Sequence, residues 1–169
     1  MAKRDEQIRL EGVQLCCRNF SGTKFGKSST RSFGVLIDDG LAKQLIDDGW
    51  SSVKFFPGNP NDPDDKPVPW LSIKFKYGIS AKTGRPTGPT IVLINSRGKK
   101  RLDQEIVDQL DWSLIKEADV IAHPYAYPAM NGKDAGISTW LDALYVTVQE
   151  DEFEMKYSEL RDLDAEEHD

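Results

Sequence analysis

Aromatic and cationic side chains recur together in two similar segments, Trp50-Ser-Ser-Val-Lys-Phe-Phe56 and Trp70-Leu-Ser-Ile-Lys-Phe-Lys76. Tryptophan, serine, lysine and phenylalanine occupy equivalent positions in both. Aromatic rings stack on bases of any sequence, and lysine ammonium groups neutralise phosphates. Because the bases of a single strand are unstacked and available, this combination indicates a surface that binds single-stranded DNA.

If both segments are β-strands, their side chains alternate between two faces. One face would belong to the core and carry Val53, Phe55, Leu71, Ile73 and Phe75. The other would carry polar, cationic and aromatic residues: Trp50, Ser52, Lys54, Phe56, Trp70, Ser72, Lys74 and Lys76. The competing interpretation buries both tryptophans and leaves only the lysines in water.

Two acid-free stretches, residues 18–33 and 66–102, add further cations. Basic clusters in an acidic chain indicate an anionic partner. We expect basic loops at residues 24–31 and 97–101 to close over the DNA, and Tyr125 and Tyr127 to extend the stacking surface. The predicted DNA-binding residues are Arg18, Lys24, Phe25, Lys27, Arg31, Trp50, Lys54, Phe56, Trp70, Lys74, Lys76, Arg97, Lys99, Lys100, Arg101, Tyr125 and Tyr127.

Charge is distributed unevenly along the chain. Its 169 residues include 22 basic and 28 acidic ones, a formal net charge of -6. Residues 150–169 hold ten acids and two basic residues, which leaves 18 acids and 20 basic residues, a net +2, in residues 1–149. We therefore expect a DNA-binding domain over 1–149 and an acidic tail, partly helical or disordered, over 150–169.

The tail carries an apolar pattern of its own. Phe153, Tyr157, Leu160 and Leu163 recur at spacings of four and three, as on one face of a helix. This face is expected to bind a partner protein, and the equally weighted alternative is a tail helix docked on its own domain or frayed. The tail's negative charge also predicts competition with DNA for the basic surface.

Motifs that could support catalysis fail on spacing or context. Gly22-Thr-Lys-Phe-Gly-Lys-Ser28 has three residues, where a nucleotide-binding P-loop needs four, before its Gly-Lys-Ser. Pro63-Asp-Asp-Lys66 is similar to part of a metal-dependent nuclease motif but lies in a proline-rich loop. His123 and His168 are too few for a histidine metal site. We predict no catalytic residue, metal or cofactor.

The elements that must position these residues are short strands and one or two small helices. Strands are predicted at residues 7–20 (with a bulge at Gly12), 32–38, 50–56, 70–77, 90–94, 120–127 and 137–148. Helices are predicted near 39–49 and 102–110, and a hairpin turn at Asn131-Gly132. Trp112 and Trp140 are assigned to the core. This order favours a mainly β fold, an OB-like antiparallel barrel.

Other features limit where the chain can act. No stretch approaches the roughly 20 apolar residues of a membrane span, and the first residues lack the apolar core of a secretion signal. Adjacent Cys16 and Cys17 cannot cross-link distant segments, which fits a reducing compartment. A cytoplasmic protein without membrane contact is therefore predicted, and the sequence leaves homo-oligomer formation open.

Several short motifs resemble the phage-encoded single-stranded DNA-binding proteins of the OB-fold type. They are Arg18-Asn-Phe20, Ser32-Phe-Gly-Val-Leu-Ile-Asp38, residues 42–50, Val53-Lys54, Asp111-Trp112 and Leu144-Tyr-Val-Thr147. The resemblance implies a protein that coats exposed phage DNA during replication or recombination, in the host cytoplasm. The acidic C-terminus resembles tails that recruit replication or recombination proteins, although it lacks the terminal phenylalanine of the bacterial type.

Two alternative functions remain open at this point. A metal-dependent nuclease or other DNA-processing enzyme would need a metal and would show turnover. A protein-interaction module that inhibits a host enzyme would use its tryptophans as a protein-binding hot spot.

Overall fold

A computed structural model describes residues 7–22, 30–132 and 134–149. They form one α-helix, α1 (Asp39–Asp47), one 3-10 helix (Val107–Asp111) and eleven strands. The strands are β1 (Ile8–Val13), β2 (Leu15–Asn19), β3 (Arg31–Leu36), β4 (Val53–Phe56), β5 (Val68–Phe75), β6 (Gly78–Ile79), β7 (Pro86–Thr87), β8 (Thr90–Asn95), β9 (Gly98–Leu102), β10 (Ile115–Tyr127) and β11 (Gly136–Val148). The mainly β prediction is therefore confirmed.

Nine of these strands form one sheet, and β6 and β7 form a separate small hairpin. The main path is β1-β10-β11-β5-β3-β2, with β4 beside β5, and with β8 between β11 and β9. The path is open, because β1 and β2 at its two ends are not paired with each other. The prediction of a closed antiparallel barrel was therefore wrong in two respects. The path does not close, and β11 runs parallel to β5 and β8.

The core lies on one side of this sheet, where alternate side chains are buried. On β5, Leu71, Ile73 and Phe75 are buried, and Phe75 packs with Phe20 and Phe33 in an aromatic cluster. Helix α1 begins where the Asp38 carboxylate accepts the Leu41 N–H at 2.6 Å. The helix predicted near 39–49 is therefore confirmed, and α1 buries Ala42 and Leu45.

Local details differ from the sequence expectations in three places. The first strand is divided into β1 and β2, with a register shift at Gly12 (φ +62°), so the predicted bulge is confirmed. The helix predicted at 102–110 is only a 3-10 turn, because β9 extends to Leu102. Trp112, predicted to be core, is 70% exposed.

The turn between β10 and β11 contains Asn131 and Gly132, both with positive φ, as the hairpin signal predicted. No helix within the described ranges has the length and apolar character needed to cross a membrane.

Candidate nucleic-acid interface

Two adjoining hollows form a groove on the sheet face opposite the core. The first, of about 420 Å³, is lined by Ser51, Ser52, Lys54, Ser72, Lys74, Tyr125, Tyr127, Ser138, Thr139 and Trp140. The second, of about 640 Å³, is lined by Phe75, Lys76, Gly88, Pro89, His123, Tyr125, Trp140, Leu141 and Asp142. Tyr125 and Trp140 line both hollows, so the two are continuous.

Strand β5 supplies the cationic side of the groove. Its burial alternates as predicted, with Lys74 exposed between buried Ile73 and Phe75. Lys54 on β4 pairs with Trp70 on β5, which brings the two strands' outward faces together. Lys54 and Lys74 line the first hollow and Lys76 the second. Three ammonium groups therefore follow the groove over its length.

Trp70 faces outward but is packed on both sides. Phe56 stacks on its ring, with centroids 5.6 Å apart and planes 22° apart. Beneath it lies Gly34, where an added Cβ would collide with the Trp70 ring and lie 2.8 Å from Cys16 Sγ. Trp70 lines neither hollow. The arrangement falls between the two sequence interpretations, since the indole is half-buried and Phe56 is 38% exposed.

Trp50 does not lie on a strand with Lys54. Strand β4 begins at Val53, and Trp50 makes an isolated parallel bridge with Ile137. Its side chain packs against the core cluster. The prediction that the strand begins at Trp50 was therefore wrong. Trp50 still belongs to the tight turn that follows α1, because its N–H donates to Leu45 O.

Trp140 on β11 is the groove aromatic that the sequence analysis assigned to the core. It pairs with Lys74 on one side and His123 on the other, and its Nε1–H donates to Ser138 Oγ at 3.1 Å. Alternation along β11 could have predicted its place in the groove, because Ser138, Trp140 and Asp142 alternate with buried Thr139 and Leu141.

The two predicted tyrosines have different surroundings. Tyr125 is 57% exposed and, like Trp140, lines both hollows. The Tyr127 hydroxyl is 2.7 Å from Ser51 Oγ, and its oxygen occupies the space that a side chain at Gly136 would take. Tyr125 is therefore the more available ring, while Tyr127 is fixed at the groove wall.

The floor of the first hollow is built from paired hydroxyls. Ser52 Oγ and Thr139 Oγ1 are both buried and lie 2.8 Å apart. One hydroxyl donates to the other, so each of these buried oxygens has a hydrogen-bond partner beneath the groove.

Arg18 and Arg31 bind backbone carbonyls. The Arg18 guanidinium donates to Leu110 O at 3.0 Å and Ser113 O at 2.6 Å. Arg31 donates to Phe20 O at 3.0 Å, and its guanidinium lies 5.1 Å from the centre of the Tyr77 ring. The predicted contacts Lys24, Phe25 and Lys27 lie outside the described residues, as do all four predicted tail contacts.

The basic β8–β9 hairpin does not close over the first hollow as expected. Strand β8 pairs with residues 143–147 of β11, beyond the groove aromatic Trp140. Lys99 pairs with Ile94, which pairs with Thr147, so this tip lies about seven residues, or roughly 23 Å, along β11 from Trp140. Arg101 is nearer, because it lines a third hollow that shares Gly88 and Pro89 with the second.

Two groups beside the sheet have raised pKa values. Burial, with a smaller contribution from neighbouring Cys17, raises the pKa of Cys16 to about 12. Burial also raises the pKa of Tyr77, whose hydroxyl has no hydrogen-bond partner within the described part of the chain. Both groups are therefore neutral at physiological pH.

No cluster of three or more potential metal ligands occurs among residues 7–22, 30–132 and 134–149. In the nuclease-like segment, residues 63–66, the Asp65 carboxylate has a structural role, as has the carboxylate of Asp62 just before the segment. Asp65 accepts the Asn59 N–H at 2.9 Å, and Asp62 accepts the Asp64 N–H at 3.0 Å, within an exposed turn. These carboxylates organise the turn's backbone.

Comparisons with known proteins extend over the whole chain. A family described as "Putative phage ssDNA-binding domain" matches residues 1–169. The solved structures include the single-stranded DNA-binding protein of bacteriophage Enc34 in complex with ssDNA, at 12% identity and TM-score 0.54, covering 88% of this chain and 89% of that one. A C-terminal truncation of the same protein matches at 13% identity and TM-score 0.52, covering 88% of each chain.

A third structure is gp2.5, a single-stranded DNA-binding protein encoded by bacteriophage T7, at 10% identity and TM-score 0.49, covering 86% of this chain and 88% of that one. No curated protein sequence matches. The family match over all residues shows that the chain belongs to the phage single-stranded DNA-binding domain family.

Proposed function

We propose that this chain binds single-stranded DNA in the groove, without catalysing a reaction, and coats exposed phage DNA during replication or recombination in the host cytoplasm. The observation that carries the proposal is the exposed Tyr125 beside the indole of Trp140, with Lys54, Lys74 and Lys76 along the same groove. Family membership supports the same partner.

The groove combines the two interactions that single strands require. Base stacking on aromatic side chains contributes about 1 to 3 kcal/mol per base and tolerates any base. Tyr125 and Trp140, which line both hollows, are the rings that we assign to this role, and Phe56, which stacks on Trp70 outside the two hollows, would extend the stacking surface. Lysine contacts with phosphates add affinity that falls with salt and carries no sequence information. Binding should therefore be weakly selective for sequence.

The other predicted contacts are given different roles. Trp70 and Tyr127 are packed against Phe56 and Ser51, so we propose that they fix the groove's shape. Trp50 supports the sheet from the core side. Arg101 would hold the strand where it leaves the second hollow, and Arg97, Lys99 and Lys100 would meet DNA only further along. We retain Lys24, Phe25 and Lys27 of the predicted basic loop 24–31 as proposed DNA contacts. Arg18 and Arg31 would support the two ends of this loop.

We also propose that the domain is of the OB type, despite its open path. Strands β1 and β2 stand at the two ends of the sheet, yet they follow each other in the chain with only Gln14 between them. A single bent strand therefore joins both edges covalently.

The proposed domain division is 1–149 for DNA and 150–169 for protein partners. We propose that Phe153, Tyr157, Leu160 and Leu163 are read by replication or recombination proteins. Charge complementarity supports a second role, competition with DNA for the groove.

A direct test is to titrate the protein with oligo-dT while recording tryptophan fluorescence. Quenching that weakens steeply with salt supports the proposal. A protein that binds no oligonucleotide at low salt contradicts it and favours the protein-interaction alternative. Incubating labelled single strands with magnesium or manganese tests the nuclease alternative, for which cleaved product would be required.

A further inference from the structure

His123 and Asp142 form a hydrogen-bonded pair on the wall of the second hollow. His123 Nδ1 lies 2.9 Å from Asp142 Oδ1, and each side chain is 21% exposed. Asp142 Oδ2 accepts a hydrogen bond from Gln7 Nε2 at 3.0 Å. The pair is held from two sides and still faces the hollow that Lys76 and Trp140 line.

The register of β10 and β11 places this pair on the groove side of the sheet. His123 on β10 is the cross-strand partner of Trp140 on β11. The register then shifts, because Ile121 pairs with Ala143 and Ala122 with Leu141, which leaves Asp142 as an extra residue in β11. Such bulges bend the strand locally and redirect a side chain.

The hydrogen bond determines what the imidazole can offer to a ligand. A carboxylate only accepts hydrogen bonds, so Nδ1 carries the proton and Nε2 is the remaining ring nitrogen. In the neutral ring Nε2 is an acceptor and cannot bind a phosphate oxygen. In the protonated ring Nε2–H becomes a charged donor, which a phosphate oxygen can accept.

The charges around His123 give its protonation an additional effect. The groups that face it are Asp142 on β11, Lys76 after β5 and Tyr125 on β10, with Arg9 on β1 one pair further along, opposite Ile121. With a neutral imidazole, the negative charge of Asp142 offsets the positive charge of Lys76 within the hollow. With an imidazolium, the hollow carries a net positive charge that favours a phosphate.

We propose that His123 is a phosphate ligand of the second hollow and that single-stranded DNA binding is coupled to uptake of a proton by its ring. The inference rests on the proposed DNA-binding function. Imidazole is the side chain that ordinarily changes charge between pH 5 and 8. Affinity therefore rises as pH falls.

The test is oligo-dT affinity between pH 6 and pH 8.5 at constant salt. Wild-type affinity should rise by roughly tenfold towards pH 6, the factor expected of one hydrogen bond to a charged group. His123→Gln should lose most of that rise. His168→Gln is the matched control, because the chain has only these two histidines, and it should keep the wild-type profile.

Asp142→Asn provides a second, independent variant. It removes the charge that opposes a phosphate, so binding at pH 8.5 should strengthen, and the pH profile should flatten. Calorimetry in two buffers of different ionisation enthalpy should show proton uptake with wild type and none with His123→Gln.

The outcomes separate the two proposals. If wild type binds oligo-dT but His123→Gln has the same pH profile and proton uptake, the phosphate role of His123 is overturned and DNA binding stands. If wild type binds no oligo-dT at any pH, both are overturned.

Discussion

Trp140 on β11 lies directly opposite Lys74 on β5, in the one register pair through which these two parallel strands meet. The pairing places Trp140 and Lys74 side by side in the sheet, and both residues line the first hollow. A ring of the kind that stacks on bases and a cation of the kind that contacts phosphates therefore lie on neighbouring strands, at positions 66 residues apart in the chain.

Replacing Trp140 should weaken DNA binding selectively. Loss of one stacking ring in Trp140→Ala should cost about 1 to 3 kcal/mol of binding free energy. Oligo-dT titrations followed by anisotropy provide the measurement. Trp112→Ala is the matched control, because Trp112 is 70% exposed and lines neither hollow of the groove. Equal losses in both variants would contradict the assignment of Trp140.

The three groove lysines should determine the salt dependence of binding. For single strands, the slope of log affinity against log salt falls by about 0.7 for each phosphate contact removed. Replacing Lys54, Lys74 and Lys76 by alanine together should therefore reduce the slope by about 2. Exposed Lys43 on α1 serves as the control, and its replacement should leave the slope unchanged. An unaltered slope in the triple variant would place the DNA elsewhere.

Gly34→Ala should destabilise the fold. The new Cβ would collide with the Trp70 ring and approach Cys16 Sγ at 2.8 Å. Overpacking of this kind typically costs about 1 to 3 kcal/mol of unfolding free energy. Urea denaturation measures the change. Gly40→Ala, in the first turn of α1, should instead be neutral or stabilising, since alanine favours a helix over glycine by about 1 kcal/mol. A Gly34→Ala variant as stable as wild type would show that Trp70 can move away freely.

Removing residues 150–169 should tighten DNA binding at low salt and have little effect at high salt. Gln149 N–H bonds to Leu114 O, at the end of β11 about 26 Å from Trp140. Twenty residues can extend up to about 66 Å, so the tail is long enough to reach the groove. Affinities of the full chain and the truncated chain at two salt concentrations provide the comparison. Weaker binding by the truncated chain would argue that the tail assists DNA binding.

Local patterns predicted the residues that face the groove on β5. Alternation depends only on the strand's own sequence. The inward position of Ile73 and the outward position of Lys74 could therefore be predicted without knowing the neighbouring strands. The same rule would have placed Trp140 with Ser138, but the apolar residues around it suggested burial instead. An aromatic residue can belong to either face, and the pairing with Lys74 agrees with the face that the alternation along β11 indicates.

Features that depend on distant partners could not be read from the sequence. The parallel pairing of β11 with β5 and β8 leaves no local signal. The segments Arg18-Asn-Phe20 and Asp111-Trp112 were noted separately, and the structure joins them, since the Asp111 carboxylate accepts the N–H groups of Phe20 and Ser21. With its carboxylate used in this way, Asp111 positions the turn, while the following indole is left in water.

The extra residue in β11 bears on how this sheet could tolerate change. If Asp142 were deleted, Thr139 and Leu141 before it, and Leu144 and Val146 after it, would still point inward, because Ala143 would take over the vacated outward position. The inward packing of β11 therefore does not depend on Asp142. Asp142 is dispensable for the packing of β11 by this criterion, and what it contributes are the hydrogen bonds of its carboxylate to His123 and Gln7.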